Sequence, residues 1–399
     1  MFTFNRLINN RLGPVLFMCT ILLSGCNCFS GLGMKSEYKK SFKIELSKYE
    51  DRFVDCMNFS GFGIQGDDQE LTDLLACLQR NHRITELCLN NNCMTGVGIK
   101  KLTEALKQCI GQIKKIEIAR NGLNDEDVQQ LAQVFKGGGL ALENLNLSEN
   151  KITYVGLAAL AEALSHCSSL KVLRISSNEI GKESWGDLVQ ICRGCRGLQG
   201  IDISYNRLED DPALQDFIQT VADMPSIKQV DFSSNLLGNG GVIKIVQTLL
   251  EHPGKPSLMT LDLSKNQIND QGAEKLSKLL EHKEASLATL RLNENQITTK
   301  GAITLSRALV KNTSLKMIGL RWNAFVNEEK ESIRRMLDKF ADAMNNNRSL
   351  VFLSLCKAPL YYKNNQGDDM KLLNDMIEHS KEEIVELIQQ DRSLHDSER

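Results

Sequence analysis

Few residues in this sequence have types and spacing that could do chemistry. Cys192-Arg-Gly-Cys195 is the clearest case, because two thiols in a C-x-x-C spacing can cycle through a disulfide or supply half of a metal site. Cys192, however, falls fourteen residues after Asn178, where other copies of a repeat described below carry Leu106, Phe135, Leu164, Leu280 and Leu309. The spacing therefore predicts a buried helix residue rather than a working dithiol. Gly181-Lys182-Glu183-Ser184 places a lysine after a glycine, but residue 176 is serine, so the phosphate-cradling spacing fails. His82, His166, His252 and His282 belong to four different connections, with His379 and His395 near the end, and ligands so dispersed do not converge on one metal. No serine or cysteine carries the local signature of a nucleophile. Nothing here argues for an enzyme, a cofactor, a metal or a small-molecule substrate.

The cysteine count is twelve, scattered rather than spaced as a framework, and most read as small core residues. Cys26 is different. Residues 1–14 contain Arg6 and Arg11 and no acid, and the apolar run from Val15 to Leu23 is too short to cross about 30 Å of hydrocarbon as a helix. That pattern reads as a signal peptide. It ends in Leu23-Ser24-Gly25-Cys26, which resembles the bacterial lipobox, whose cysteine is acylated and becomes the first residue of the mature chain. The resemblance implies a lipoprotein with a signal peptide over 1–25, lipidation at Cys26 and a polar tether over 26–49. It further implies a place in the cell envelope, lipid-anchored to a membrane and facing out of the cytoplasm. An ordinary signal peptide or an uncleaved anchor are the alternatives. Free thiols in such a compartment oxidise, so the cysteines are expected to be buried or paired.

The elements that hold these residues follow from one phrase: apolar, two residues, apolar, one, apolar, two, asparagine, one, apolar. It is plain in Leu142-Glu-Asn-Leu145-Asn-Leu147-Ser-Glu-Asn150-Lys-Ile152 and starts at Ile84, Ile113, Leu142, Leu170, Leu198, Ile227, Leu258, Leu287 and Leu315, 28 to 31 residues apart. Degenerate copies begin at Val54, with Phe62 in the asparagine position, and at Leu350, with Ala358 there, giving about eleven repeats over 50–360. Alternation at Leu145 and Leu147 makes a short strand with one buried face. Apolar pairs four apart, such as Leu160 with Leu164 and Leu276 with Leu280, make the helix that returns the chain to a parallel strand. Glycine recurs six places after the asparagine at Gly98, Gly156, Gly241, Gly272 and Gly301, where a side chain would crowd the entry to the helix. Beyond the repeats, Met370, Leu373, Ile377, Ile384 and Ile388 predict a capping helix over 361–390, or a helix that docks on another chain, and 391–399 is expected to fray.

The phrase resembles leucine-rich repeats, and its period with a full helix resembles the ribonuclease-inhibitor-like class. The fold expected is an α/β solenoid: a horseshoe with parallel strands lining the concave face and helices on the convex face. Strands pair at about 4.8 Å while helices pack at about 8–10 Å, so the stack must bend toward its sheet. The asparagines Asn92, Asn121, Asn150, Asn178, Asn206, Asn235, Asn266, Asn295 and Asn323 read as structural. Their amides are expected to satisfy loop backbone in their own repeat and the next, and their loss at the end copies fits repeats without a neighbour.

What remains for function is the outward strand residue of each repeat, which includes Arg174, Asp202, Asp231, Asp262 and Arg291 in succession. Three carboxylates about 5 Å apart repel one another, so either solvent with Lys228 and Lys265 relieves them or a basic partner does. Tyr205 on one side and Arg291, Arg321 and Trp322 on the other are residue types that anchor interfaces. A protein partner is expected on this patch, or else a merely solvated sheet face. Nucleic acid is disfavoured, because 48 basic and 50 acidic residues leave a net charge of −2. The resemblance to this repeat class implies binding rather than catalysis, toward host or eukaryotic partners if the chain is exported. The intracellular alternative is a regulator or scaffold similar to Ran-type GTPase activators or ribonuclease inhibitors.

Overall fold

In a computed structural model of the chain, residues 35–50, 54–137, 141–254, 256–347, 349–355, 360–361, 385 and 388 are described. Cys26 and the apolar run before it lie outside the described residues, as do Gly138 and Gly139, Ala358 and all of 361–399 except Tyr361, Val385 and Ile388, of which the last two are helical and buried. The chain divides into two compact units, residues 1–48 and 49–399. In the first, residues 35–48 are described, and they belong to α1 (Lys35–Glu50). The polar tether expected over 26–49 is thus helical in its second half. Lysines and glutamates are good helix formers, Lys48 pairs with Glu45 one turn away, and Phe42 and Tyr49, seven apart, are the buried pair.

The second unit follows the repeat strand for strand. Its strands are β1 (Cys56–Asn58), β2 (Glu86–Cys88), β3 (Lys115–Glu117), β4 (Asn144–Asn146), β5 (Val172–Arg174), β6 (Gly200–Asp202), β7 (Gln229–Asp231), β8 (Thr260–Asp262), β9 (Thr289–Arg291), β10 (Met317–Gly319) and β11 (Phe352–Ser354). All eleven pair in parallel in sequence order, third residue beside third residue. A two-residue antiparallel strand, β12 (Leu360–Tyr361), covers the edge of β11, a feature the phrase does not encode. The middle residue of each strand, from Met57 to Leu353, is buried, because alternation puts it on the helix side.

Each repeat returns through a helix: α2 (Gln69–Arg80), α3 (Val97–Cys109), α4 (Asp125–Lys136), α5 (Tyr154–Leu164), α6 (Trp185–Gly194), α7 (Ala213–Ala222), α8 (Gly238–Glu251), α9 (Asp270–Glu281), α10 (Thr299–Lys311) and α11 (Lys330–Asn346). Successive helices pack side by side, and the larger helix spacing bends the repeat stack toward its sheet. Trp185, Phe217 and Phe232 join three repeats in one buried aromatic cluster, with Trp185 5.5 Å from Phe217, and the indole N–H donates to the Glu209 carbonyl. Among the described residues no helix is long and apolar enough to cross a membrane.

All nine asparagines are buried and structural, as expected, but the direction of their bonds is the reverse of that expected. Asn206 Nδ2 donates to Ile203 O of its own repeat and to Ile175 O of the preceding one, while its Oδ1 accepts the N–H groups of Asn178 and Ile180, again from the preceding repeat. Asn92 likewise reaches back to Phe59 O and Ile64 N, and Asn323 to Leu292 O and Ile297 N. In the first repeat Phe62 takes the position, its ring tilted against Phe59 with centroids 5.2 Å apart.

Candidate interaction surface

The first and third residues of each strand face away from the helices, and the third positions form a continuous row from Asn58 to Ser354. At its N-terminal end the charges compensate one another. Lys115 lies 3.1 Å from Glu117 and 3.6 Å from Glu86, Asn90 donates to Glu117, and Arg120 pairs with Glu149.

The middle is different. Parallel register sets Arg174 beside Asp202, Asp202 beside Asp231, Asp231 beside Asp262, and Asp262 beside Arg291. Arg174 turns to Asn144 Oδ1 at 3.2 Å, away from the acids. Arg291 lies 3.6 Å from Asp262. Lys228 forms no ion pair with the three carboxylates, and Lys265 lies over the Tyr205 ring at 5.7 Å and pairs with Glu294, so the lysines expected to relieve the acids do not. Asp231 stands between two carboxylates, with no cation paired to it among the described residues. Burial first, then the charge of Asp262, pushes its pKa up to about 6.

Each acid also has a local duty that its residue type did not reveal. Asp202, Asp231 and Asp262 accept through Oδ1 the N–H of Ser204, Ser233 and Ser264, two residues on, and Asn58 and Asn146 do the same for Ser60 and Ser148. This Asx turn bends the chain out of the strand. The signal was present as asparagine and aspartate alternating at one position. Beside it runs a row of small residues, Ser148, Ser176, Ser204, Ser233 and Ser264, of which Ser148 and Ser204 are buried and the others half-buried. Ser264 Oγ is buried without a hydrogen-bond partner among the described residues.

Tyr205 and Trp322 occupy another row, the residue before the asparagine. From Asn91 to Trp322 this residue has a left-handed backbone with φ between 51° and 57° in every repeat with an asparagine. That conformation directs the two rings along the edge where the strands end. Tyr205 is 55% exposed, and Arg321 stacks on Trp322 at 4.3 Å. Tyr205 and Trp322 are four repeats apart, roughly 20 Å at strand spacing. They flank the acidic row rather than converge on it.

The remaining chemistry found no site. Cys192 is fully buried in α6, as its position predicted. Among the described residues no group of three histidines, cysteines or acids could hold a metal. His252 and His282 line one shared cavity of about 350 Å³, with Pro253 and Gly254 beside them, so these two are closer together than their spacing suggested. His252 bonds Asp223 at 3.0 Å, and that carboxylate raises its pKa.

Comparison with known proteins fits this architecture. The family model described as Leucine Rich repeat matches residues 142–161, 166–184, 254–277 and 285–306. The NACHT, LRR and PYD domains-containing protein 4E of Mus musculus is 24% identical over 238 residues, covering 59% of this chain and 23% of that protein. The ribonuclease inhibitor of Sus scrofa is 26% identical over 247 residues, 54% of this chain and 53% of the inhibitor. The chain thus spans about half of one relative and a quarter of the other. An internalin from Listeria monocytogenes is 17% identical, covering 83% of this chain and 90% of its own, with a TM-score of 0.44.

Proposed function

We propose that this chain of leucine-rich repeats is a protein-binding module whose partner presents a basic segment to the sheet face over Asp202, Asp231 and Asp262. The observation that carries this reading is Asp231, half-buried between two acids with no cation paired to it among the described residues, while the charges nearer the N-terminal end are paired. A partner lysine or arginine at that point relieves a repulsion the fold leaves standing. Tyr205 and the Arg321–Trp322 stack supply apolar anchors on either side. One relative is by name an inhibitor of a ribonuclease, a protein target, which accords with a binding role.

The address proposed is the cell envelope, with a lipid on Cys26 and the repeats outside the cytoplasm. It rests on Arg6, Arg11, the apolar run and Leu23-Ser24-Gly25-Cys26. The second reading is an intracellular regulator or scaffold, favoured by the free thiols of Cys56, Cys88, Cys109 and Cys192. The mass of the N-terminal peptide separates the two: a diacylated Cys26 supports the first, an unprocessed Met1 the second.

The binding reading is tested with a carbodiimide that joins lysine to carboxylate during partner capture. Crosslinks should fall on Asp202, Asp231 or Asp262. The variant carrying Asn at all three keeps its turns and should lose at least about tenfold in affinity, the effect of about 1.4 kcal/mol. Unchanged affinity with crosslinks confined to the helices rejects this surface.

A further inference from the structure

We infer that Cys167 and Cys195 are a cross-repeat disulfide site, closed by thiol–disulfide exchange with a low-molecular-weight disulfide. The C-x-x-C spacing points to Cys192 with Cys195, but the fold separates their roles. Cys192 belongs to the core of α6, whereas Cys195 caps that helix and turns its thiol toward the preceding repeat. Cys195 Sγ donates to Leu164 O at 3.4 Å, and the same carbonyl accepts the Cys167 N–H at 3.0 Å. Both cysteines therefore hang on one acceptor, the Leu164 carbonyl, Cys167 through its N–H and Cys195 through its thiol.

The backbone fixes this approach. A Cβ built on Gly194 would lie 2.5 Å from Ser165 O, and one on Gly197 would lie 2.7 Å from Ser168 O, so the two corners touch main chain to main chain. Cys167 and Cys195 occupy the same place in successive repeats, three residues before Leu170 and Leu198. Corners in such contact leave the two Cα atoms near strand spacing, about 5 Å, inside the span a disulfide bridges.

The pair is also chemically asymmetric. The neighbouring Cys195 thiol, then the Ser169 hydroxyl and the N–H groups of Leu170 and Ser169, hold the Cys167 pKa at about 6 against burial, while the proximity of Cys167 and burial raise that of Cys195. Cys167 is the nucleophile and Cys195 resolves. The Cys167 thiolate attacks one sulfur of RS–SR, breaking that bond and releasing a thiolate that takes up the proton Cys167 gave to solvent. Cys195 then attacks the Cys167 sulfur, and its proton leaves with the second RS group. Two protein thiols are oxidised and one RSSR becomes two RSH. The bond ties together the corners that lead into β5 and β6, which carry Arg174 and Asp202. It does not depend on the binding function proposed above.

Trypsin makes the test direct, because it leaves Cys167 on peptide 152–171, Cys192 on 183–193 and Cys195 on 194–196. The full chain is incubated with oxidised glutathione, and its remaining thiols are alkylated in denaturant. Peptides 152–171 and 194–196 should emerge joined and lighter than their sum by two hydrogens, with 183–193 alkylated. Cys195→Ser should trap glutathione on Cys167, and Cys192→Ser should leave the link intact. Linkage of 183–193 to 194–196 overturns the assignment, and so does recovery of 152–171 and 194–196 separately, whether alkylated or glutathionylated.

Discussion

Asp231 is a carboxylate whose ionisation this fold opposes, and its pH behaviour follows. Its pKa is about 6 when folded, against about 3.9 in an unfolded chain. Between those values the folded state binds more protons, so stability falls as pH rises from about 4 to about 6 and stays lower above it. Asn at 231 removes the charge and keeps the acceptor for Ser233 N–H. Asp231→Asn should raise stability by about 2 kcal/mol at pH 7.5 in urea titration, and the gain should vanish near pH 4. Asn206→Ala should act in the opposite sense. It strands the N–H groups of Asn178 and Ile180 and two buried carbonyls, a loss of about 3 kcal/mol in the same assay. The asparagines were legible in the sequence because a fixed phrase marks them. Which neighbour each one bonds was not, since that depends on the offset between stacked loops and leaves no trace in residue type.

Strands and helices were legible for a different reason. Alternation at residues such as Leu145 and Leu147 fixes both phase and facing, so every outward residue from Asn58 to Ser354 could be assigned. Contacts between successive helix starts could not. Asp125 at the start of α4 accepts from Thr153 N, Thr153 Oγ1 and Gly156 N of the next repeat, and Asp270 accepts from Thr298 N, Thr298 Oγ1 and Gly301 N. At Gly156 and Gly301 the recurrent glycine thus answers to a carboxylate reaching across the repeat: a Cβ on Gly156 would lie 2.5 Å from Asp125 Oδ1 and one on Gly301 2.3 Å from Asp270 Oδ1. Asp270→Ala should cost about 2 kcal/mol and speed amide exchange at Thr298 and Gly301 more than at Leu305. The helical stretch in α1 was not legible because, among its residues whose burial is described, Phe42 and Tyr49 alone are buried, too few to set a period.

A stack in which each repeat touches only its neighbours unfolds in segments once one interface is weakened. Trp185 is the place to weaken it, since its ring contacts Phe217 and Phe232 and bridges three repeats. Trp185→Ala should cost about 3–5 kcal/mol and split a single denaturation transition into two, read by circular dichroism. The backward reach of every asparagine has a further consequence, for the order in which the chain is made. The asparagine of a repeat leaving the ribosome meets the carbonyls and N–H groups it bonds on a repeat already made, while loop N–H groups such as those of Tyr205 and Leu208 await Ser233 O and Asn235 Oδ1 of the next. Synthesis and assembly therefore run in the same direction, each new loop locking onto the last.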